Sequence, residues 1–414
     1  MFEICLFDLG DTLIRTADLK QIHEACKRNN DPQRLEELKG SLVNVDDRHI
    51  YSVGILQQIR LDFPQLKLGV FTRSPQSYTS TVLNWAYPGF EWDFVVAYED
   101  VQRTKPYGDG IDAAMNAFGV TRLSRVVLVG DSVVDVRASY HCGCRVVLDR
   151  GAWPNKRSPE HWRALEHVPD AIIDSPEELL GVLKRPTCFL PELERLLAGG
   201  ASDPQAPRFD KISHFIARAA GGDATPYPIY VGGRSFSNYE SLQYRKQWHA
   251  LTASIVDNKD SDLFPDEWVS AIRCFIENQY FTFFGVSHIV VCVVPHRPGR
   301  KARLESLLKQ LEQSLLERPV EGFEVVCQPQ LLAYKPGVKS QHNDYLSRDA
   351  RFINVRDHLF VQNADLITAK SSYLIIDDVT TTGASLIYAS MYLKMAGATD
   401  VKCLSMAKNI GNVL

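Results

Sequence analysis

Short apolar runs that end in a carboxylate or a turn residue, separated by stretches of helical periodicity, recur along this chain and leave few folds open to it. EICLFDL, LKLGVFT, DFVVAY, VVLVGDS and CRVVLD follow one another within the first 149 residues. Continuous apolar runs read as strands buried on both faces, and their alternation with helices reads as βαβ units around a parallel sheet. The stretch 170–183, DAIIDSPEELLGVL, adds a last short strand and a helix opened by Ser-Pro-Glu-Glu. A second region of this kind holds IVVCVV (289–294), FEVVC (323–327), YLIIDD (373–378) and VKCLSMA (401–407). The pattern ASLIYASMYLKMAG predicts a helix before the last of these, and another helix is expected over Asp266–Phe284. Between the two regions, residues 197–228 carry two Gly-Gly pairs, several prolines and one helical island at Lys211–Ala220. Such composition reads as an interdomain connection. A chain of 414 residues also exceeds what one core usually organises. The expected fold class is α/β, with two Rossmann-like parallel-sheet domains at 1–184 and 228–414 and a linker at 185–227.

The formal net charge of −4 gives no electrostatic footprint for wholesale attachment to nucleic acid or a membrane. A nucleic-acid end as partner therefore gains no support from charge. No run approaches the roughly 18 to 20 apolar residues needed to span a bilayer. The start, MFEICLFDLGDTL, lacks a basic leader and carries Asp8 and Asp11 almost at once, so no signal peptide is expected and the expected location is cytoplasmic. Nine cysteines form no paired framework, and Cys142-Gly-Cys144 has a single residue between its thiols. Free, buried thiols are the expectation.

Asp8 closes the first apolar run, where ligand sites of open α/β sheets concentrate. Thr72 ends LKLGVFT, Lys105 lies in RTKP, and Asp131 and Asp135 fall in GDSVVD. A parallel sheet would gather these at one edge, and converging carboxylates call for a hard cation with oxygen ligands, for which Mg²⁺ is suited. FDLGDTL, VFTRS, KP and GDSVVD resemble, in order, the four motifs of the haloacid dehalogenase superfamily, over about residues 1–184. The resemblance implies that Asp8 is a nucleophile forming an aspartyl-phosphate, that Thr72 hydrogen-bonds the phosphoryl group and that Lys105 neutralises it. It further implies Mg²⁺ held by Asp8, Asp131, Asp135 and the carbonyl of Gly10. At one place the chain departs from the family. Phosphatases there carry Asp and then Gly two residues after the nucleophile, as general acid/base, whereas this chain reads Gly10-Asp11, with Thr12 in its usual place. Loss of that carboxylate removes about 10² to 10⁴ in rate, so phosphate-ester binding is expected ahead of efficient hydrolysis unless the loop re-aims Asp11. Only about 40 residues, at about 14–53, are left for a cap. The resulting open site suits a large substrate, a macromolecular end, or closure by the second module or by another subunit of a homo-oligomer.

In the second region LIIDDVTTTGASL (374–386) joins a buried strand to adjacent acids and a small-residue loop. Thr380, Thr381, Thr382, Gly383, Ala384 and Ser385 let backbone N–H groups turn inward on a phosphate, with a helix N-terminus behind them, while Asp377 and Asp378 can take ribose hydroxyls. The stretch resembles the phosphoribosyl-pyrophosphate (PRPP) motif of type I phosphoribosyltransferases. That likeness implies a pyrophosphate-holding loop at VPHRPGR (294–300), with Arg297, Arg300 and the following Lys301 as its cations. Together with KSQHNDYLSRDARFINVRDHLFV, the loop is similar to the ComF-like branch, in which Gln341, Leu346, Ser347, Arg351, Asn354 and Val355 take family positions. The similarity spans about 285–410, with 228–284 a more variable lead-in, and departs by lacking the cysteine pairs of an N-terminal zinc site. It implies Mg²⁺-dependent displacement of pyrophosphate from PRPP, with the segment 331–357 closing over the site.

The function expected from both resemblances is a bifunctional enzyme of nucleotide and phosphoribosyl metabolism: a PRPP-binding phosphoribosyltransferase fused to a phosphatase-like module. The competing expectation is a non-catalytic sensor of PRPP or nucleotide-like molecules, or an effector of a bacterial stress or antiphage defence system.

Overall fold

The first apolar run folds as β1 (Ile4–Phe7), with all four side chains buried. Helices α1 (Lys20–Arg28), α2 (Pro32–Leu42) and α3 (Val53–Asp62) follow, so the expected cap region holds two short helices. Then come β2 (Lys67–Phe71), α4 (Gln76–Ala86), β3 (Phe94–Val96), α5 (Asp109–Phe118), β4 (Val126–Gly130), α6 (Val133–Cys142), β5 (Arg145–Asp149), α7 (Pro159–Leu165), β6 (Ala171–Ile173) and α8 (Glu178–Lys184). The six strands form one parallel sheet in the order β3-β2-β1-β4-β5-β6. Alternate side chains of β1 feed two cores, as the period of two in a strand requires. Cys5 and Phe7 join Val70, Val129 and Leu56 of α3, while Ile4 and Leu6 join Leu128 and Ile111 of α5. Burying each large aliphatic or aromatic side chain contributes about 1.5–3 kcal/mol. The strand order reverses between β1 and β4, and a crevice for ligands opens past the carboxyl ends of strands at such a switch point.

This computed structural model describes residues 1–28, 31–155, 158–200, 206–281, 287–339 and 346–414. The chain forms two units, one of Met1–Phe189, Phe236–His249 and Gly411–Leu414, the other of Leu190–Ser235 and Ala250–Ile410. No helix among the described residues is long and apolar enough to cross a membrane.

The second unit begins with α9 (Glu192–Leu197), β7 (Asp210–His214), β8 (Tyr227–Val231) and β9 (Arg234–Phe236). Beyond α10 (Gln243–Lys246), which belongs to the first unit, lie α11 (Ala250–Asp257), α12 (Asp266–Gln279), β10 (Ser287–Val293), α13 (Arg303–Glu317) and β11 (Phe323–Cys327). The chain ends through β12 (Leu332–Tyr334), α14 (Arg348–His358), β13 (Leu359–Val361), β14 (Ser372–Thr380), α15 (Ala384–Met395) and β15 (Asp400–Ile410). The main sheet runs β11-β10-β14-β15-β8-β7, with β9 on β15.

Four features of this unit depart from the sequence expectation. The sheet is mixed rather than all-parallel, because β7 pairs antiparallel with β8. The described connection between them has only a 3₁₀ turn at Arg218–Ala220, with no helix to carry a parallel crossover. The expected helical island at Lys211–Ala220 is instead the end of β7 over Lys211–His214, where Ile212 and His214 are buried at a period of two, followed by the 3₁₀ turn at Arg218–Ala220. The described residues of the expected linker 185–227 belong to the second unit from Leu190 onward: Arg195 is buried on Glu192 at 2.8 Å, and Glu194 holds the buried Arg234 at 2.5 Å. Its Gly and Pro residues mark turns between packed pieces. Finally, α12 stops at Gln279, where Tyr280 turns extended and its buried hydroxyl donates to the carbonyl of Tyr373 at 3.0 Å, while residues 282–284 of the expected helix lie outside the described residues.

The segment Phe236–His249 belongs to the first unit, outside the boundary at 184 read from the sequence. Arg245, with no exposed surface, anchors it: the guanidinium donates to the Asp170 carboxylate and to the Cys144 carbonyl at 2.6 Å. The same guanidinium lies 4.1 Å from the Trp248 ring, whose Nε1 donates to the Gly143 carbonyl at 2.9 Å.

Candidate functional site

Asp8, Thr72 and Asp131 each stand directly after a neighbouring strand, β1, β2 and β4, and so emerge along one edge of the first sheet. Asp135 comes from the first turn of α6, and Lys105 from the loop before α5. Lys105 Nζ lies 2.8 Å from Asp8 Oδ1 and 2.6 Å from Asp135 Oδ1. One oxygen each of Asp8, Asp131 and Asp135 falls within 4.8 Å of the others. The second oxygen of Asp135 accepts from the Ser132 N–H at 3.2 Å and from its hydroxyl at 2.5 Å. This packing needs glycine at 130, since a Cβ there would sit 2.3 Å from Asp135 Cγ.

Burial raises the Asp8 carboxyl above its ordinary range; Lys105 opposes the shift and Asp135 adds to it. Asp131 is pushed well above the usual carboxylate range by burial and then by the charges of Asp135, Asp8 and Asp11. Burial also works against the Lys105 ammonium, but Asp135 and Asp8 outweigh it and hold the group charged.

The loop after β1 decides what Asp11 does. Its backbone lies in the left-handed region at φ 54, which Asp tolerates, and its carboxylate accepts from the Thr16 N–H at 2.8 Å. The Asp11 carboxylate is thus engaged in closing its own loop. Gly10 leaves position 10 without a side chain.

Sequence reasoning missed four further residues. Trp153 Nε1 donates to the Asp131 carbonyl at 2.9 Å, and Ser132 holds Asp135 as described. Ser74 lies 3.1 Å from Thr72 Oγ1, and His23 of α1 lies 3.0 Å from Ser74 Oγ. VFTRS contained the serine, but nothing local in the sequence pairs it with a histidine 51 positions earlier.

In the second unit, Arg297, Arg300, Lys301, Asp377, Asp378 and Ser385 line one open cleft of about 510 Å³. Arg303, Glu305 and Tyr334 also line it and were not foreseen. Arg303 Nη1 reaches Asp378 Oδ2 at 3.4 Å, and Tyr334 donates to Ser385 Oγ at 3.3 Å. Burial and the neighbouring Asp378 lift the Asp377 carboxyl well above its usual range. β14 extends through Thr380, so the acids lie within the strand and not at its end. Thr380 and Ala384 are buried, the Thr381 carbonyl accepts from Lys408 Nζ at 2.7 Å, Thr382 lies in the bend, and Gly383 precedes α15 at φ 77. A Cβ on Gly383 would come within 2.8 Å of Ile229 Cδ1 and 2.9 Å of His214 Cδ2. His214 itself is kept neutral by burial and by Lys408 and Arg348, its pKa pushed down to about 3. Ser347 caps α14, Arg351 Nε donates to the Leu346 carbonyl at 3.0 Å, Val355 is buried, and Asn354 brackets Lys339 through two hydrogen bonds. Gln341, and with it part of the segment 331–357, lies outside the described residues.

Residues 53–148 match the family model described as haloacid dehalogenase-like hydrolase. A search of the curated proteins finds no match. Among solved structures the chain is similar to a predicted phosphoglycolate phosphatase from Haemophilus somnus, at 19% identity over 44% of this chain and 97% of that one, with a TM-score of 0.34. It is also similar to a hydrolase from Pseudomonas syringae, at 17% identity over 44% and 98% of the two chains and a TM-score of 0.33. A HAD-superfamily hydrolase of subfamily IA from Geobacter sulfurreducens is 17% identical over 44% and 100%, with a TM-score of 0.31. On the family match, the first unit contains a haloacid dehalogenase-like hydrolase domain.

Proposed function

We propose that the first unit binds a phosphate ester with Mg²⁺ and passes the phosphoryl group to Asp8, and that the cleft of the second unit takes PRPP or a nucleotide-like molecule. The observation that carries the first part is the convergence of three carboxylates, two of which, Asp8 and Asp135, pair with one buried lysine. The donor set suits a hard cation: it is all oxygen, and Asp131, lifted by burial and then by the charges of Asp135, Asp8 and Asp11, sits where a divalent ion would offset both. Asp8, Asp131, Asp135 and the Gly10 carbonyl would hold Mg²⁺, which when bound neutralises phosphoryl oxygens. An Asp8 oxygen forms a bond to phosphorus while the bond from phosphorus to the leaving oxygen breaks. Lys105 offsets charge on the transferred group, and Thr72 donates a hydrogen bond to it. Water then attacks phosphorus and releases Asp8. The leaving oxygen departs without a proton from position 10, so esters with acidic leaving groups are the better substrates.

For the second unit the reading rests on the cleft, where three cations, Arg297, Arg300 and Lys301, are gathered with Asp377 and Asp378. Such a set suits a pyrophosphate beside a ribose diol. In a phosphoribosyltransferase the bond from the anomeric carbon to the pyrophosphate oxygen breaks as a bond to an acceptor nitrogen forms, and the acceptor's proton goes to solvent. A bifunctional enzyme of nucleotide metabolism would follow from the two sites together. Sensing without turnover is the second reading, favoured by Gly10 and by the engagement of Asp11 with the Thr16 N–H.

Incubation of the full chain with PRPP, Mg²⁺ and a panel of bases, following pyrophosphate release, tests this half. Turnover is expected in the wild type and its loss in the Asp377→Asn/Asp378→Asn variant. Calorimetric PRPP binding without release across the panel would favour the sensor, and no binding at all would remove PRPP from the account.

A further inference from the structure

Beside Asp8 runs a chain of hydrogen-bonding side chains that the carboxylate cluster does not require. Thr72 Oγ1 accepts from the Ser74 N–H at 3.1 Å and lies 3.1 Å from Ser74 Oγ. Ser74 Oγ lies 3.0 Å from Nε2 of His23, whose ring meets Tyr78 edge-on at 5.0 Å. Thr72 and Ser74 are 2% and 7% exposed, so neither hydroxyl turns freely to water. A hydroxyl has one proton to give, and the chain therefore has two directions. When Nε2 accepts from Ser74, Ser74 accepts from Thr72, and Thr72 offers a phosphoryl oxygen only lone pairs. When Nε2 donates, Ser74 gives its proton to Thr72 Oγ1, and the Thr72 hydroxyl points its own proton outward.

We propose that His23 is a positioning residue of the Asp8 site: through Ser74 it sets the direction of the Thr72 hydroxyl, which donates to a bound phosphoryl oxygen only when Nε2 of His23 carries a proton. The inference rests on the reading that the Asp8 site takes phosphoryl groups. Nδ1 of His23 lies 3.7 Å from the Glu24 carboxylate, too far for a hydrogen bond, but its charge favours the neutral tautomer that carries the proton on Nδ1 and leaves Nε2 to accept from Ser74. A proton on Nε2 then needs the imidazolium. The groups facing the ring are Glu24 and Lys27 of its own helix, Arg73 after β2, and Tyr78 of α4. Burial first, then Lys27 and Arg73 against Glu24, keep the imidazole below its ordinary pKa, so proton uptake waits for an anion. Phosphoryl binding is thereby linked to protonation of a residue in the small cap.

The test uses beryllium fluoride with Mg²⁺, a phosphoryl analogue whose own charge does not titrate near neutrality, followed by ¹⁹F NMR on the full chain from pH 5.5 to 8.5. The wild type is expected to bind more tightly towards low pH. His23→Gln, whose amide donates at every pH, should keep the low-pH affinity and lose the slope that His23 confers. His23→Phe should bind about tenfold more weakly at low pH, the loss of one hydrogen bond to a charged group. If both variants follow the wild-type affinity and slope while Asp8→Asn abolishes the adduct, the role of His23 is overturned and the site reading stands. An adduct that survives in Asp8→Asn overturns the site reading itself.

Discussion

Replacing Gly10 by Asp is expected to raise turnover of alkyl phosphates by the first unit by about 10²- to 10⁴-fold, the usual contribution of a positioned general acid. An alkoxide is a poor leaving group unless it is protonated as it departs, and no side chain stands at position 10 to do this. One oxygen of the Asp11 carboxylate accepts from the Thr16 N–H at 2.8 Å, which ties that side chain to its own loop. Gly10 is not among the glycines in the left-handed region, so its backbone accepts a side chain. The obstacle is local: a Cβ there would meet Thr16 Oγ1 at 2.8 Å. Gly10→Asp is therefore best made together with Thr16→Ala, which removes that oxygen and leaves the backbone N–H that Asp11 uses. Single-turnover rates of leaving-group release from an alkyl and an aryl phosphate, which read the transfer to Asp8 alone, distinguish the cause. Aryl esters, whose leaving groups depart as stable anions, should gain little. Equal gains on both esters, or none on either, would contradict the assignment of the missing acid to position 10.

Arg245→Met is expected to destabilise the first unit by about 3–5 kcal/mol, the range for removing one partner of a buried ion pair. The guanidinium has no exposed surface and serves both the Asp170 carboxylate and the Cys144 carbonyl. Without it, Asp170 keeps Arg145 at 3.9 Å and the Val146 N–H at 2.9 Å, a poorer set for a buried charge. The double variant Arg245→Met/Asp170→Asn also removes the charge that Arg245 offsets and should recover much of the loss. Urea unfolding followed by tryptophan fluorescence checks both, since Trp248 stacks on Arg245 at 4.1 Å. A loss below about 1 kcal/mol, the scale of an exposed pair, would contradict the burial argument.

The residues that were legible in the sequence are those whose position follows from strand periodicity. β1, β2 and β4 are apolar on both faces, so their ends, and with them Asp8, Thr72 and Asp131, could be located without coordinates. Lys105 and Asp135 were legible through motif order, and their shared ammonium contact at 2.6 Å is the consequence. Pairings across long sequence separations were not legible. His23 meets Ser74 across 51 positions, and Arg245 meets Asp170 across 75. Composition misled at 190–227, where Gly and Pro bracket α9, β7 and the start of β8. β7 itself is a five-residue strand beside Gly-rich turns, too short for its alternation to outweigh the helical propensity of the alanines that follow.

The most direct test of the central claim is Mg²⁺-dependent hydrolysis of 4-nitrophenyl phosphate by the full chain, compared between wild type and Asp8→Asn. This aryl ester departs without a proton from position 10, so the transfer to Asp8, followed as the first release of 4-nitrophenolate, does not wait on Gly10 even where hydrolysis of the aspartyl-phosphate is slow. The account predicts 4-nitrophenolate release by the wild type that requires Mg²⁺ and falls to background in Asp8→Asn. Equal rates in the two proteins would contradict it.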